Sequence, residues 1–198
     1  MDVFVYIIYG ILLLTSIVGL TFIIERGFAL RRRRVVPAAV EGAVESCQTS
    51  DDVPMLKRVC QQHDSPISRL LLLSADHLHW PKSDNVDAVQ TRARHEMARL
   101  ERGLVVLEII VGIAPLLGLV GTIVGMMTLF SDIGAELNDA SRLAQGIALI
   151  LNATLLGLLI AIPSLIAWSY FSKKVEVFAV EMEALCSEFV RRQYEGAK

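Results

Sequence analysis

Three stretches of the chain are apolar and free of charged residues for long enough to cross a lipid bilayer. They run from Val3 to Ile24, from about Ile109 to Phe130 and from about Leu143 to Phe171. A spanning helix needs roughly 20 such residues. The first stretch has no basic flank on its N-terminal side and exceeds the apolar core of a signal peptide, so we expect it to remain as a membrane helix. The pattern therefore predicts an all-α membrane protein with three transmembrane helices.

The helical pattern continues beyond the second and third stretches. From Val86 onward we expect one uninterrupted helix that enters the second span, and after the third span apolar residues recur at steps of three and four. Both spans should thus extend into a cytoplasmic helical bundle. The predicted organisation is a first transmembrane helix (1–24), a cytoplasmic helical region (25–85), a long helix with the second span (86–130), a periplasmic loop (131–142), and the third span with its tail helix (143–198).

The polar region between the first two spans predicts three short helices. Pro37 can open the first, and Asp51 or Asp52 can cap a second that ends near Gln62. The pair Ser65-Pro66 has the order of an N-cap followed by a first-turn proline, and predicts a third helix through residue 79. Residues 80–85 predict a break.

Basic residues predict the orientation of the spans. They follow the first span, precede the second and follow the third, whereas the loop at 131–142 carries three acidic residues and one arginine. Positive charge marks the cytoplasmic side, so we expect a periplasmic N-terminus and a cytoplasmic C-terminus. We interpret the four arginines at 31–34 as a lipid-headgroup anchor; a nucleic-acid or anionic-lipid site is the alternative. The formal net charge of −2 gives no bulk attraction to nucleic acid.

Small residues form a stripe along each of the last two spans. Glycine costs helix stability, so its clustering in a membrane helix favours close helix packing or the lining of a narrow path. The residues predicted to pack are Gly118, Gly121, Gly125, Gly146, Ala153, Gly157 and Ala161. Ala114 and Thr122 share the first stripe, and Thr154 lies at the edge of the second. Pro115 and Pro163 should kink or loosen their helices.

The remaining sequence features concern metal binding, enzyme activity and proton transfer. Cys60-x-x-His63 and His77-x-His79 could bind metal, but the spacing is unlike that of structural zinc sites, and we expect no metal and no cofactor. No hydrolase, protease or nucleotide-binding motif occurs, so an enzyme is not indicated. The second and third spans contain no Asp, Glu, Lys, Arg or His. Because proton relays through membranes use ionisable groups, a partner would have to supply one.

The chain resembles the MotA/TolQ/ExbB proton channel family, on its ExbB and TolQ side. The resemblance rests on ARLERGL at 98–104 followed by IAPLLGLVGTIVGMMTLF at 113–130, on Ile24-Glu25-Arg26, on Ser65-Pro66-Ile67, and on the frame that runs from Gly146 through Thr154 and Gly157 to Pro163. It covers nearly the whole chain.

The resemblance implies an inner-membrane ring of five subunits around two single-span helices of an ExbD- or TolR-like partner, each of which carries a membrane aspartate. Proton flow would then power a TonB- or TolA-like protein in envelope transport or maintenance. By resemblance, Thr122 and Thr154 match threonines that line the inner passage. Many members carry a glutamate five residues before the second threonine, and here Leu149 occupies that position.

Two other functions remain open at the level of sequence. The chain could be a non-conducting scaffold that stabilises a partner, or a stator coupled to Na⁺ instead of H⁺. The ExbB and TolQ subgroups are not separated by these residues either.

Overall fold

The structure is a computed structural model that describes residues 2–133 and 140–195, with side chains for 6–130, 146–148 and 150–195. The described residues form eight α-helices and no strand, which confirms the all-α prediction. The helices are α1 (Asp2–Ala29), α2 (Arg32–Val35), α3 (Ala38–Ser46), α4 (Val53–Gln62), α5 (Pro66–Asp76), α6 (Lys82–Glu101), α7 (Leu104–Ile133) and α8 (Ala140–Glu195). A short 3₁₀ turn, Ser50–Asp52, precedes α4.

Three helices are long and apolar enough to cross a membrane. They contain the segments Tyr6–Ala29, Leu104–Phe130 and Gly146–Glu195, the last of which extends well past its apolar part. The three predicted spans fall inside these segments apart from their first few residues. Of the predicted loop at 131–142, residues 134–139 lie outside the described residues, and the residues on either side belong to α7 and α8.

The chain divides into two compact units. One, here called the membrane unit, comprises residues 1–26 and 103–170; the other, here called the tail unit, comprises residues 27–102 and 171–198. The 56 residues of α8 form one continuous helix that contributes to both units. The residues of the predicted third span and those of the predicted tail helix therefore lie in the same helix.

The prediction of one uninterrupted helix from residue 86 to the second span is wrong. Helix α6 ends at Glu101 and α7 begins at Leu104, with a turn at Arg102 and Gly103 between them. Glycine is a poor helix former, and here it also leaves room for a neighbour. The guanidinium group of Arg26 lies where a side chain at position 103 would begin.

The short helices of the tail unit occur close to where the pattern predicts them. Ser65 caps α5 by accepting a hydrogen bond from the Ser68 N–H at 3.3 Å, but α5 ends at Asp76 and not at residue 79. Helix α6 begins at Lys82, inside the predicted break. The Asp52 carboxylate does not cap α4; it accepts from the Thr49 N–H at 3.0 Å, which lowers the pKa of Asp52.

Candidate functional site

The glycines of α7 and α8 form a seam in which the two helix backbones touch. A Cβ atom built on Gly118 would lie 2.9 Å from the Ala153 carbonyl oxygen and 2.9 Å from the Thr154 Cα. One built on Gly157 would lie 2.5 Å from the Ala114 oxygen. Real Cβ atoms do not approach backbone so closely, so both positions exclude any larger residue.

Toward the C-terminal end of α7 the seam continues, and there the glycines contact side chains instead of backbone. A Cβ on Gly121 would lie 2.7 Å from the Cβ of Ala153, and one on Gly125 would lie 2.7 Å from the Ile150 Cγ1. A Cβ on Gly146 would lie 2.5 Å from the Cδ1 of Leu129. The glycines singled out in the sequence thus lie in one seam, and this seam joins two helices of the same chain.

Helix α1 packs against the same pair. Ile110, Ala114 and Ala161 form a buried cluster at the end of the seam that is closer to the start of α7. A Cβ on Gly19 of α1 would lie 3.4 Å from the Ser164 Oγ, which itself donates to the Ile160 oxygen at 2.8 Å. Gly19 is not among the residues predicted to pack, although a lone glycine inside an apolar helix is a signal of close packing.

The two threonines meet on one turn of α7. The Thr122 hydroxyl donates to the Leu119 carbonyl at 2.7 Å, and the Thr154 hydroxyl donates across the seam to the Gly118 carbonyl at 3.3 Å. Their acceptors are consecutive residues of α7. The structure therefore brings together two side chains that are 32 positions apart in sequence.

Both threonines remain partly exposed, and each hydroxyl already uses its hydrogen. A hydroxyl also has two lone pairs that can accept hydrogen bonds. In this arrangement the oxygens of both hydroxyl groups can accept hydrogen bonds from a donor outside the chain. To donate to an anion, either hydroxyl would first have to leave its backbone carbonyl.

Two prolines lie within the spanning helices. Pro115 in α7 and Pro163 in α8 lack the N–H that would bond to the carbonyls of Val111 and Leu159. Both helices continue past them, and a kink at either position stays a prediction. Asn152 is exposed on α8, whereas the Leu149 side chain lies outside the described residues.

Cys60 and His63, one of the two pairs with candidate metal-ligand side chains, have other surroundings in the structure. Among the described residues, no group of three or more His, Cys, Asp or Glu side chains is placed to hold an ion. Cys60 is buried, which raises the pKa of its thiol to about 11, and the His63 Nδ1 lies 3.2 Å from the Val59 oxygen of its own helix.

Comparison with known proteins identifies the family. The profile of the MotA/TolQ/ExbB proton channel family matches residues 62–184, which include α6, α7, most of α8 and the glycine seam. The chain belongs to this family. It is a membrane protein of a group of channels associated with transport, rather than of an enzyme class.

Three relatives illustrate the range of the match. An ExbB homolog from Methanothermobacter thermautotrophicus is 30% identical over 163 residues, which cover 81% of this chain and 58% of the relative. An ExbB-like protein from Synechocystis is 32% identical over 89% of this chain and 74% of the relative. The biopolymer transport protein ExbB of Helicobacter pylori is 41% identical over 40% of this chain and 56% of the relative. The chain thus spans little more than half of the length of the first and third of these relatives.

Proposed function

We propose that this chain is the ring-forming, stator-type subunit of a proton-driven motor in the bacterial inner membrane. It would surround an ExbD- or TolR-like single-span partner whose membrane aspartate carries the proton. The partner would pass the work on to a TonB- or TolA-like protein, for envelope transport or maintenance. Its N-terminus would be periplasmic and its C-terminus cytoplasmic, as the basic residues after α1 and in the middle of α8 favour.

The observation that carries this proposal is the composition of the seam. Glycine contacts fix α7 against α8, and the two threonines are the polar residues held at that seam. No Asp, Glu, Lys, Arg or His lies between 109 and 130 or between 143 and 171. Such a surface can solvate a carboxyl group from a partner but cannot carry a proton itself.

The state of the hydroxyl groups suggests how the threonines would act. A protonated aspartate could donate to the free lone pairs of Thr122 or Thr154 while both hydroxyls keep their backbone bonds. An ionised aspartate would need a hydroxyl to turn and donate to it. The site would therefore accommodate both protonation states without a fixed cation, which would hold the carboxylate too strongly to release it.

The energy available matches such a cycle. Each proton that crosses a 100 mV potential supplies about 2.3 kcal/mol. That is comparable with one or two hydrogen bonds to a charged group, at about 1.5–3 kcal/mol each. Exchange of hydroxyl partners during each passage is thus within the range of the driving force.

Proton flux into liposomes tests the proposal. The chain is reconstituted alone, and together with a co-purified single-span partner, in vesicles that contain a pH-sensitive dye. We expect flux in the presence of the partner and only background flux without it. Flux of equal size from the chain alone would contradict the need for a partner carboxyl group.

The same preparation decides between the alternatives. A non-conducting scaffold would form the complex and give no flux with either H⁺ or Na⁺. A sodium-coupled stator would give flux of Na⁺ with little change in internal pH. Exchange of the partner's membrane aspartate for asparagine is the matched control, and it should abolish the flux while the complex still forms.

A further inference from the structure

A groove of about 780 Å³ lies within the tail unit, between α6 and the C-terminal part of α8. Its lining reaches from Lys82 to Glu101 on α6, a rise of about 29 Å at 1.5 Å per residue. The floor is apolar and contains the buried Val89 and Met182. A groove that long is suited to a helix rather than to a small molecule.

The two helices that border the groove are antiparallel. The Asn85 Nδ2 donates to the Tyr194 hydroxyl at 3.1 Å, which joins the start of α6 to the end of α8. The lining then extends 16 residues along α6 to Glu101 and 15 residues back along α8 to Ala179. Counting residues from the Asn85–Tyr194 bond therefore gives the position of any residue along the common direction of the two helices. This position is here called the level of the residue.

Six charged side chains line the groove, and none of them forms an ion pair within the described part of the chain. They are Lys82, Arg94, Arg191, Glu101, Glu183 and Glu195. Other charged residues of the same unit are paired, as Arg69 is with Glu96 at 2.8 Å. A partner surface that carries both signs of charge would therefore be complementary to this groove.

An exposed ridge runs along α8 at the border of the groove, and two of its residues, Ser187 and Arg191, also line the groove. Its residues recur at steps of three and four, which is the spacing of a helix-packing seam. They are Val177, Val180, Ala184, Ser187 and Arg191. Val180 is 68% exposed and Val177 is 53% exposed, although they belong to the unit with the large buried side chains.

We propose that the groove is the surface on which a second copy of this chain docks, with the ridge of the incoming α8 packed along α6. The proposal rests on the ring of the proposed function and names the contact that would build it. Copies related by an axis perpendicular to the membrane keep every residue at the same level. A heterologous contact of this kind, repeated around the axis, closes a ring.

The charges agree with this register. Arg94 lies nine residues from Asn85, and Glu183 lies 11 residues from Tyr194. The two are thus level to within two residues, or about 3 Å. Lys82 and Glu195 are level to within the same margin. The α8 of a second copy would therefore bring its Glu183 to Arg94 and its Glu195 to Lys82.

Cysteine cross-linking between two differently tagged full-length chains tests the contact. One chain carries Ala98→Cys and the other carries Val180→Cys, two exposed positions at the same level. Co-expressed in membranes with the partner and oxidised, they should give a heterodimer that carries both tags. Ser83→Cys with Val180→Cys is the matched control. Ser83 lies 15 residues before Ala98 on α6, so it is about 23 Å away from the level of Ala98.

We expect at least tenfold more heterodimer from Ala98/Val180 than from Ser83/Val180. Equal yields, or dimers of Val180→Cys with itself, in a ring that native mass spectrometry shows to be intact would overturn the docking surface and leave the proposed function standing. A chain that stays monomeric would overturn both. Cross-linking at Ala98/Val180 without proton flux would support the surface and contradict the proposed function.

Charge reversal gives a second, independent test. Arg94→Glu and Glu183→Arg should each reduce the fraction of assembled chains about tenfold, because each places like charges opposite each other at every contact. The double variant should recover to within about twofold of the original. A double variant no better than the worse single variant would overturn the register.

Discussion

The membrane unit and the tail unit differ in the kind of side chain that makes the contacts inside each unit. In the membrane unit the backbones of α7 and α8 touch at Gly118 and Gly157, while large residues such as Leu116 and Ile166 are exposed. In the tail unit the core contains large side chains, among them Phe189, Leu56 and Met182. Water drives large apolar groups inward, but lipid solvates them as well as protein does, so only close backbone contact distinguishes one membrane-helix partner from another.

Buried polar groups differ in the same way. The described part of the membrane unit buries one polar side chain, Ser164, whereas the tail unit buries Asn85 and Glu96 together with three serines. The end of α8 adds further polar contacts: Arg192 donates to the carbonyls of Val44 and Glu45 at 3.0 and 2.9 Å. Specificity therefore comes from shape in one unit and from hydrogen bonds in the other.

The largest expected effect is at the backbone contact of the seam. Gly157→Leu places a side chain 2.5 Å from the Ala114 oxygen, and neither helix can yield without losing the other seam contacts. Overpacking costs about 1–3 kcal/mol or more. We expect at least a tenfold loss of monodisperse protein in size-exclusion chromatography.

Gly112→Leu is the matched control for this change. It lies on the same helix as Ala114, and a Cβ there would meet nothing within 4 Å. We expect it to behave like the original chain. Similar losses for both variants would show that a leucine on these helices is harmful wherever it is placed, and that the loss does not come from the seam. The contact is internal to the chain, so monomers as well as rings should be lost.

The next effect tests the polar side of the comparison. The Glu96 carboxylate is 1% exposed and pairs with Arg69 at 2.8 Å and with Arg92 at 3.0 Å. Loss of one partner of a buried pair costs about 3–5 kcal/mol, and since the arginines are partly exposed we expect about 2 kcal/mol for Glu96→Gln. This corresponds to a fall in Tm of about 4–8 °C.

Asp87→Asn on the exposed face of α6 is the control, and its Tm should change by less than about 2 °C. Calorimetry of the two variants in the same detergent makes the measurement. An unchanged Tm for Glu96→Gln would mean that Glu96 contributes no net ionic stabilisation to the tail unit.

The amount that sequence could reveal also differs between the units. Hydrophobic runs and glycine spacing gave the three spans and the seam residues, because membrane helices have long and simple patterns. They did not reveal that both stripes belong to one internal contact, since a stripe has the same appearance whichever helix covers it. The local pattern predicts Gly103 as part of a continuous helix, because its spatial neighbour Arg26 is 77 positions away in sequence.

In the tail unit the short helices were predictable from proline and serine, but their contacts were not. Neither the Asn85–Tyr194 bond nor the pairing of Glu96 with Arg69 has a local signal, because both join residues far apart in sequence. The meeting of Thr122 and Thr154 on one turn of α7 likewise depends on how α7 and α8 pack. The proposed roles of these threonines stay predictions.

A smaller effect is expected at the threonines. Thr154→Val removes the hydroxyl that bonds to the Gly118 carbonyl at 3.3 Å, yet the carbonyl keeps its helical N–H partner. We expect normal yield of the complex but a proton flux reduced about fivefold, since one hydrogen bond to the partner contributes about 1 kcal/mol. Thr122→Val should act similarly, and the double variant more strongly.

Thr128→Val is the control for these substitutions, because its hydroxyl also donates to a carbonyl of its own helix, at 2.7 Å from Val124. Liposome flux with the partner present compares the variants. Normal flux in the double variant would leave Thr122 and Thr154 as packing residues, and then Thr154→Leu should disrupt folding instead.

The smallest effect at neutral pH concerns the buried thiols, which belong to the tail unit alone. Burial raises the pKa of Cys60 to about 11 and that of Cys186 to about 12. At pH 8 the thiolate fraction of Cys60 is about one in a thousand, so alkylation should be about two hundredfold slower in the folded protein than in the unfolded chain, whose thiols have a pKa near 8.5.

Both pKa values are raised, so the stabilisation is complete below the pKa of the unfolded thiols and is lost as pH rises toward the folded values. The tail unit should therefore become labile between about pH 9 and 11, while the membrane unit, whose described spans carry no such group, keeps its seam. Hydrogen exchange followed separately in α5 and α7 over that pH range makes the measurement, and equal loss of protection in both helices would show that the two units do not unfold independently.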